Sequence, residues 1–379
     1  MSINNLPINS GLKEEVLNLL GTGKIPHANL LVGSDGGAQM ALAFSLASSF
    51  LCNSPVNGIA CGKCSSCNKA QQMIHPDIHF SYPLNSSTET AESKIEDFRE
   101  LMLQNKYAAL GDWVDSLAAE NSVLNIHAKE CSRIERVLSM KSFEGKGKVL
   151  IIWLPEYLGN EGNKLLKTIE EPEEGTRIIL ATFDLAAILP TIVSRCRVFR
   201  VSDPPIKQLS HFLVESFQVG EQAALNAAAI SEGNINDAIK NVKNIKDFSI
   251  GDDFLEWLRL AFVGDPKASM EFIEAFTKTG GKEKLRSLFR FGIFYFNQVL
   301  RSRYKGDFIR LNDNFSGSVE KMTGMLYIDE VEKIVKELEE FLYFIDRFAN
   351  NKILLTKATL SIGRHLKKAY QTMRLKAMS

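Results

Sequence analysis

The sequence has no excess charge of either sign: lysine plus arginine and aspartate plus glutamate each total 45, so the formal net charge is zero. A chain that coats nucleic acid through a general cationic surface is thereby excluded, and any contact with a polyanion must be local or made through partners. Long apolar runs are missing too. No window reaches the roughly 18 apolar residues that a membrane span requires. The opening MSINNLPINSGLKEEV lacks a basic flank followed by an apolar stretch, so no signal peptide is expected and the protein reads as cytoplasmic, without a membrane partner. Internal repeats and low-complexity tracts are absent as well. Cysteine is sparse, with six in 379 residues, and four of the six crowd into residues 52–67. Thiols placed that way in a reduced compartment argue against a disulfide framework and for a metal.

What is present is a globular composition, 45% hydrophobic and 24% charged. The length exceeds the roughly 250–300 residues at which single cores stop growing, so two or three domains are expected. A short helix is expected over 11–20. His27 to Gly33 (HANLLVG) is an apolar run of strand length that feeds a glycine-rich turn and then a helix over Ala38 to Leu51, the opening of a nucleotide-binding α/β unit. Further strands, Lys148 to Trp153 and Arg177 to Thr182, flank a helix around Asn163 to Ile169, and this alternation implies a parallel sheet covered on both faces. The polar, acidic stretch from Ser81 to Asn121 reads as an insertion or surface excursion, with no chemistry placed there. Beyond Asp203-Pro204-Pro205 only helical periodicity remains. A break near Ser249 to Asp253 separates a small helical unit from a larger one. The expected fold class is α/β of the phosphate-loop type followed by helices, with domains 1–202, 203–248 and 249–379.

A working phosphate loop reads G-x-x-x-x-G-K-[ST]: backbone N–H groups cradle the phosphates, the lysine reaches the β/γ-phosphates, and the hydroxyl ligates Mg²⁺. Here the loop is Gly33-Ser34-Asp35-Gly36-Gly37-Ala38-Gln39-Met40. Ala38, Gln39 and Met40 stand where Gly, Lys and Ser/Thr belong. Gln39 brings no charge, Met40 no hard oxygen ligand, and Asp35 adds a negative charge beside any phosphate. The strand that should carry a metal-binding acidic pair has Trp153 and Leu154 instead, with Glu156 two residues on. Taken alone, Gly33 to Gly37 also fits a plain turn in a chain that was never a nucleotide fold.

Cys52, Cys61, Cys64 and Cys67 supply four thiols within sixteen residues, with Asn57, Gly58 and Gly62 to turn the backbone. Four thiolates suit tetrahedral Zn²⁺ and leave no open position, so the site is expected to be structural. An iron–sulfur cluster is the competing use of the same ligands. His75 and His79 lie nearby but are left out of the site. Cys131, far away, reads as a buried structural thiol.

Three segments carry a family resemblance: Asn163-Lys164-Leu165-Leu166-Lys167-Thr168-Ile169-Glu170-Glu171-Pro172, then Leu189-Pro190-Thr191-Ile192, then Ser194-Arg195-Cys196. With the cysteine cluster after the first helix, His27 before the loop and His75-Pro76-Asp77 after the cysteines, the chain resembles the delta-prime subunits of the bacterial DNA polymerase III clamp loader, members of the AAA+ family. The likeness covers about the first 200 residues; the remainder matches only in length and class. The resemblance implies a five-subunit ring with gamma/tau ATPase subunits and a delta subunit, a helical lid over 203–248 and a helical collar for oligomerisation over 249–379. Primed DNA and the sliding clamp would be met through the complex.

The resemblance also implies that Arg195 reaches in trans to a neighbour's γ-phosphate as an arginine finger, a planar and permanently charged fork, the plain alternative being a surface ion pair. Ser194 and Cys196 then shape the turn, Thr182 occupies the γ-phosphate-sensing position, and Arg197 and Arg200 form a solvated strand edge. No functional ATP site is expected in this chain, and zinc is its only expected cofactor. The alternatives are an active motor ATPase, which Gln39, Met40 and Trp153 oppose, and a zinc-ribbon nucleic-acid binder, which the neutral charge opposes. The last 29 residues carry seven lysines and arginines and no carboxylate. They read as a solvated helix face, or as a surface for an acidic neighbour.

Overall fold

A computed structural model describes residues 3–119, 122–243, 250–306, 308–346 and 350–378. Five strands, β1 (Ala28–Gly33), β2 (Ile78–Ser81), β3 (Lys148–Trp153), β4 (Thr176–Thr182) and β5 (Arg197–Val201), form one sheet in the order β2-β3-β4-β1-β5. Every pairing is parallel. Leu30 on β1 lies opposite Leu180 of β4 on one side and Val198 of β5 on the other. β3 is buried along its whole length, as a strand covered on both faces must be. The two edges are handled differently. Arg133 donates to the outward carbonyl of Phe80 on β2 at 2.7 Å, while β5 leaves Arg197 and Arg200 exposed to water.

The helices around this sheet are α1 (Ser10–Gly21), α2 (Gln39–Leu51), α3 (Ser65–Gln71), α4 (Ile95–Gln104), α5 (Leu110–Ser116), α6 (Ala128–Ser139), α7 (Leu166–Glu170), α8 (Pro190–Val193) and α9 (Ile206–Phe217). One core joins Leu30, Leu150, Ile152, Ile178 and Leu180 of the sheet to Ile134 and Leu138 of α6 and Ile169 of α7. Each such aliphatic side chain contributes about 1.5–3 kcal/mol when fully buried. Where a continuous helix was expected around 163–169, the chain runs as 3-10 turns over Pro155–Leu165 and only then as α7. Leu154 at φ 59° and Gly159 at φ 49° and ψ −139° break the α-helical path.

The 81–121 stretch is more than a surface excursion. Its α4 and α5 bury Phe98, Met102 and Trp113, and Phe98 stacks on Tyr82 with ring centroids 4.0 Å apart. Residues 120–121 lie outside the described residues.

The chain divides into two compact units, Met1–Ser216 with Gly233–Ile239, and Phe217–Glu232 with Lys240–Ser379. The second contains α10 (Glu221–Ile230), α12 (Ile250–Val263), α13 (Pro266–Lys305), α14 (Asp313–Met325), α15 (Ile328–Asp346) and α16 (Asn351–Met378), while α11 (Ile235–Lys243) begins in the first. Its core is aromatic: Phe254, Trp257, Phe289, Tyr295 and Phe315 are all buried. Trp257 donates its indole N–H to Thr359 at 2.8 Å, which satisfies the one polar atom that this ring buries. On the cationic α16, Lys352 pairs with Glu274 at 2.7 Å and His365 with Glu337 at 3.0 Å. The expected division at 248–249 lies outside the described residues.

Candidate functional site

The glycine loop leaves β1 and enters α2 as the strand–turn–helix pattern requires, but its interior is filled by its own chain. Gln39 is buried, and its amide donates to the Ser34 carbonyl at 2.7 Å. Its Oε1 sits inside the turn: a Cβ placed on Gly33 or on Gly37 would come within 2.6 or 2.7 Å of it. That oxygen is buried without a hydrogen-bond partner. An acceptor held there repels a phosphate oxygen instead of cradling it. Ala38 and Met40 are buried beside it and add only packing.

The rest of the loop is tied down from outside. Ser34 donates to Asp203 at 2.6 Å, Asp35 accepts from the Leu110 amide at 2.9 Å, Asn234 donates to the Asp35 carbonyl at 2.8 Å, and the Asn236 amide donates to the Gly36 carbonyl at 3.0 Å. Gly36 has φ +79°, and a side chain there would meet the Cβ of Asn236 at 2.7 Å. Asn236 is itself buried, accepting from Asn105 at 2.6 Å and donating to Asp112 at 2.8 Å. Burial raises the Asp203 carboxyl above its ordinary value, with the Ser34 hydroxyl pulling the other way. Nothing in the residue pattern marked Asn234, Asn236 or Asp203 as loop partners.

At the end of the metal-strand position, Trp153 is buried among Phe98 and Trp113, with centroids 5.8 and 6.4 Å away. Glu156, two residues beyond Leu154, accepts from the Thr182 hydroxyl at 2.8 Å. Burial raises its carboxyl above the usual range. Thr182 is fully buried, so the polar strand-end residue and the remaining carboxylate satisfy each other.

Cys52, Cys61, Cys64 and Cys67 converge, with all four sulfurs within 4.8 Å of one another. Cys52 to Cys64 is 3.9 Å and Cys61 to Cys67 is 4.0 Å. Tetrahedral Zn²⁺ with bonds near 2.3 Å places sulfurs about 3.8 Å apart, so the four residues can hold such an ion. The Cys61 amide donates to the Cys52 sulfur at 3.2 Å and the Cys67 amide to the Cys64 sulfur at 3.4 Å. Burial opposes ionisation of Cys64, yet N–H groups of Cys67 and Asn53 and neighbouring thiols hold it down to about 6. The turn needs Gly58 at φ +77°, because a Cβ there would collide with the Leu20 carbonyl at the end of α1.

The thiol module is fastened to the sheet by His75, which is buried and bonds Ser66 at 3.0 Å and Glu144 at 3.3 Å. Glu144 also pairs with Lys69 at 2.5 Å. Neither His75 nor His79 belongs to the sulfur cluster. Cys131 is buried, with its thiol 3.7 Å from the Glu161 carbonyl.

The Ser194-Arg195-Cys196 turn closes α8, with the Arg195 amide on the Ile192 carbonyl at 3.1 Å and the Cys196 amide on the Val193 carbonyl at 3.2 Å. Burial pushes the Cys196 thiol up to about 12, so it stays protonated and unreactive. The Arg195 side chain is 32% exposed. Its Nε donates to Glu170 at 2.7 Å and its Nη1 to the Thr191 carbonyl at 3.0 Å. Arg197 is exposed and pairs with Glu15 at 2.6 Å.

A strand–glycine loop–helix unit on a five-stranded parallel sheet, with a metal-capable thiol cluster inserted after the helix, defines the class. Within that class, the family model described as DNA polymerase III, delta subunit matches residues 8–205, just over half of the chain. The chain belongs to that family, clamp-loader subunits with delta prime among them. DNA polymerase III subunit delta' of Escherichia coli is 26% identical over 215 residues, covering 56% of this chain and 53% of that protein. Subunit tau of the same organism is 29% identical over 228 residues, covering 59% of this chain and 29% of that one. Subunit gamma of Buchnera aphidicola is 27% identical over 250 residues, or 61% and 59%. The chain thus matches at most 59% of the length of these three relatives. Among the described residues, no helix is long and apolar enough to cross a membrane.

Proposed function

We propose that this protein is a non-hydrolysing, AAA+-type subunit of the DNA polymerase III clamp loader that lends Arg195 to the ATP site of a neighbouring subunit. The observation that carries the reading is the loop: Gln39 occupies its interior, and its outward groups already bond Asp203, Leu110, Asn234 and Asn236. Hydrolysis needs a lysine on the β/γ-phosphates and ligands for Mg²⁺, and residues 39, 40 and 153 supply none of them. Arg195, by contrast, sits on a half-exposed turn with its side chain partly in water, which supports a contact made outside this chain.

In this reading the protein works in the cytoplasm. Gamma/tau ATPase subunits and a delta subunit complete a hetero-pentamer, and the clamp and primed DNA are engaged through the assembly. Residues 203–248 act as a lid and 249–379 as the oligomerising collar. Cys52, Cys61, Cys64 and Cys67 hold one structural Zn²⁺, which contributes folding energy and no chemistry. The test has two parts. The isolated chain, given ATP and Mg²⁺, should hydrolyse nothing above background; turnover abolished by mutating its own loop would defeat the reading. Metal analysis of the purified chain should return one zinc per molecule, and iron in its place would assign the thiols to a cluster.

A further inference from the structure

We infer that Glu170 is a positioning residue for Arg195, holding the guanidinium in the orientation in which it meets the neighbour's phosphate. The inference rests on the reading of Arg195 as a finger. Arg195 has five N–H groups. One, on Nε, goes to Glu170 Oε2 at 2.7 Å, and one, on Nη1, goes to the Thr191 carbonyl at 3.0 Å. The two contacts come from different elements, the last residue of α7 and the body of α8, and together they fix both the position and the roll of the planar fork. That leaves three N–H groups, one on Nη1 and two on Nη2, for an outside acceptor, enough for the two-point fork that a phosphoryl group accepts.

A long side chain left free on a turn would sample many rotamers, and ordering it at the moment of reaction would raise the barrier. The Glu170 carboxylate removes that cost in advance. Its side chain is 55% exposed, so the pair adds little to folding and can be altered without unfolding the chain. Thr191 contributes through its backbone, which leaves Glu170 as the one side chain that sets the orientation.

The experiment reconstitutes the full clamp loader with Arg195→Ala, Glu170→Ala, Glu170→Gln and the Arg195→Ala/Glu170→Ala pair, and measures DNA-stimulated ATP hydrolysis. Arg195→Ala defines the part of the rate that depends on the finger. Glu170→Ala should lower that part on the order of threefold to fivefold, in kcat with KM for ATP unchanged, with assembly and thermal midpoint intact. Glu170→Gln, which keeps an acceptor oxygen but loses the charge, should fall in between. The double variant should be no slower than Arg195→Ala alone, since Glu170 acts through Arg195. Hydrolysis unchanged or faster in both Glu170 variants, while Arg195→Ala is slow, would overturn the positioning role and leave the finger standing. No effect of Arg195→Ala would remove the finger and the positioning role together.

Discussion

The loop at residues 33–40 leaves the carboxyl end of β1, the turn at residues 189–196 enters the amino end of its parallel neighbour β5, and the two use their polar groups in opposite ways. In the loop, the carbonyls of Ser34, Asp35 and Gly36 are turned onto Gln39, Asn234 and Asn236. In the arginine turn, the backbone satisfies itself within four residues, and the charged side chain is left partly in water. A glycine loop can thus be held firm by a side chain of its own chain inside the turn and by bonds to residues far along the sequence. Protein donors to its carbonyls hold the loop in shape.

The sharpest break in that comparison is Arg195→Ala. Arginine fingers contribute about 10³–10⁵ to rate, so the site it serves should fall nearly silent while this chain stays folded. Reconstituted hydrolysis and clamp loading check it, and the bulk rate should drop by that site's share. Arg195→Lys should rescue little, because an ammonium cannot reproduce the planar fork.

On the loop side, Gly36→Val forces a β-branched residue to φ +79° and drives its Cβ into Asn236 at 2.7 Å. A loss of roughly 1–3 kcal/mol is expected in denaturant unfolding. An exposed, functionless turn would show almost none. Asn236→Ala removes the acceptor of the Asn105 amide and one of the donors to Asp112 and should cost about 1–2 kcal/mol by the same measurement.

A smaller effect comes from Asp203. Its folded carboxyl lies above the ordinary 3.8, so the stability tied to its protonated form is full below that value and is lost as pH rises through the folded one. Asp203→Asn keeps an acceptor for Ser34 and should remove that slope, which unfolding curves from about pH 4 upward would reveal. The smallest effect expected is none: Gln39→Lys should not create hydrolysis, because Met40 and Trp153 still offer Mg²⁺ no ligand. Turnover in that variant would mean that one charge alone had closed the site.

Much of this was legible beforehand. The strand before the loop and the helix after it fall within a residue of where the apolar pattern placed them, since both are local features with strong periodicity. The sulfur cluster was visible because its ligands are close in sequence. β2 was missed, being only four residues, Ile78–Ser81, between a turn and a polar segment. The 81–121 stretch looked like surface because its buried Tyr82, Phe98 and Trp113 are spread too widely to form a pattern.

By itself the sequence determined what the loop lacks, where a metal could be held, and which arginine lies on a family motif, because each is a matter of residue type at short spacing. Tertiary structure alone decided that the loop is closed: Asn234 meets the Asp35 carbonyl across 199 residues, and Asp203 meets Ser34 across 169. It also decided that Glu170, 25 residues before Arg195, grips the guanidinium, whereas its neighbour Glu171 carries no mark in sequence to separate the two. Hydrogen bonds depend on position and direction to within a fraction of an ångström, and for residues so far apart along the chain only the packed sheet and its helices fix either.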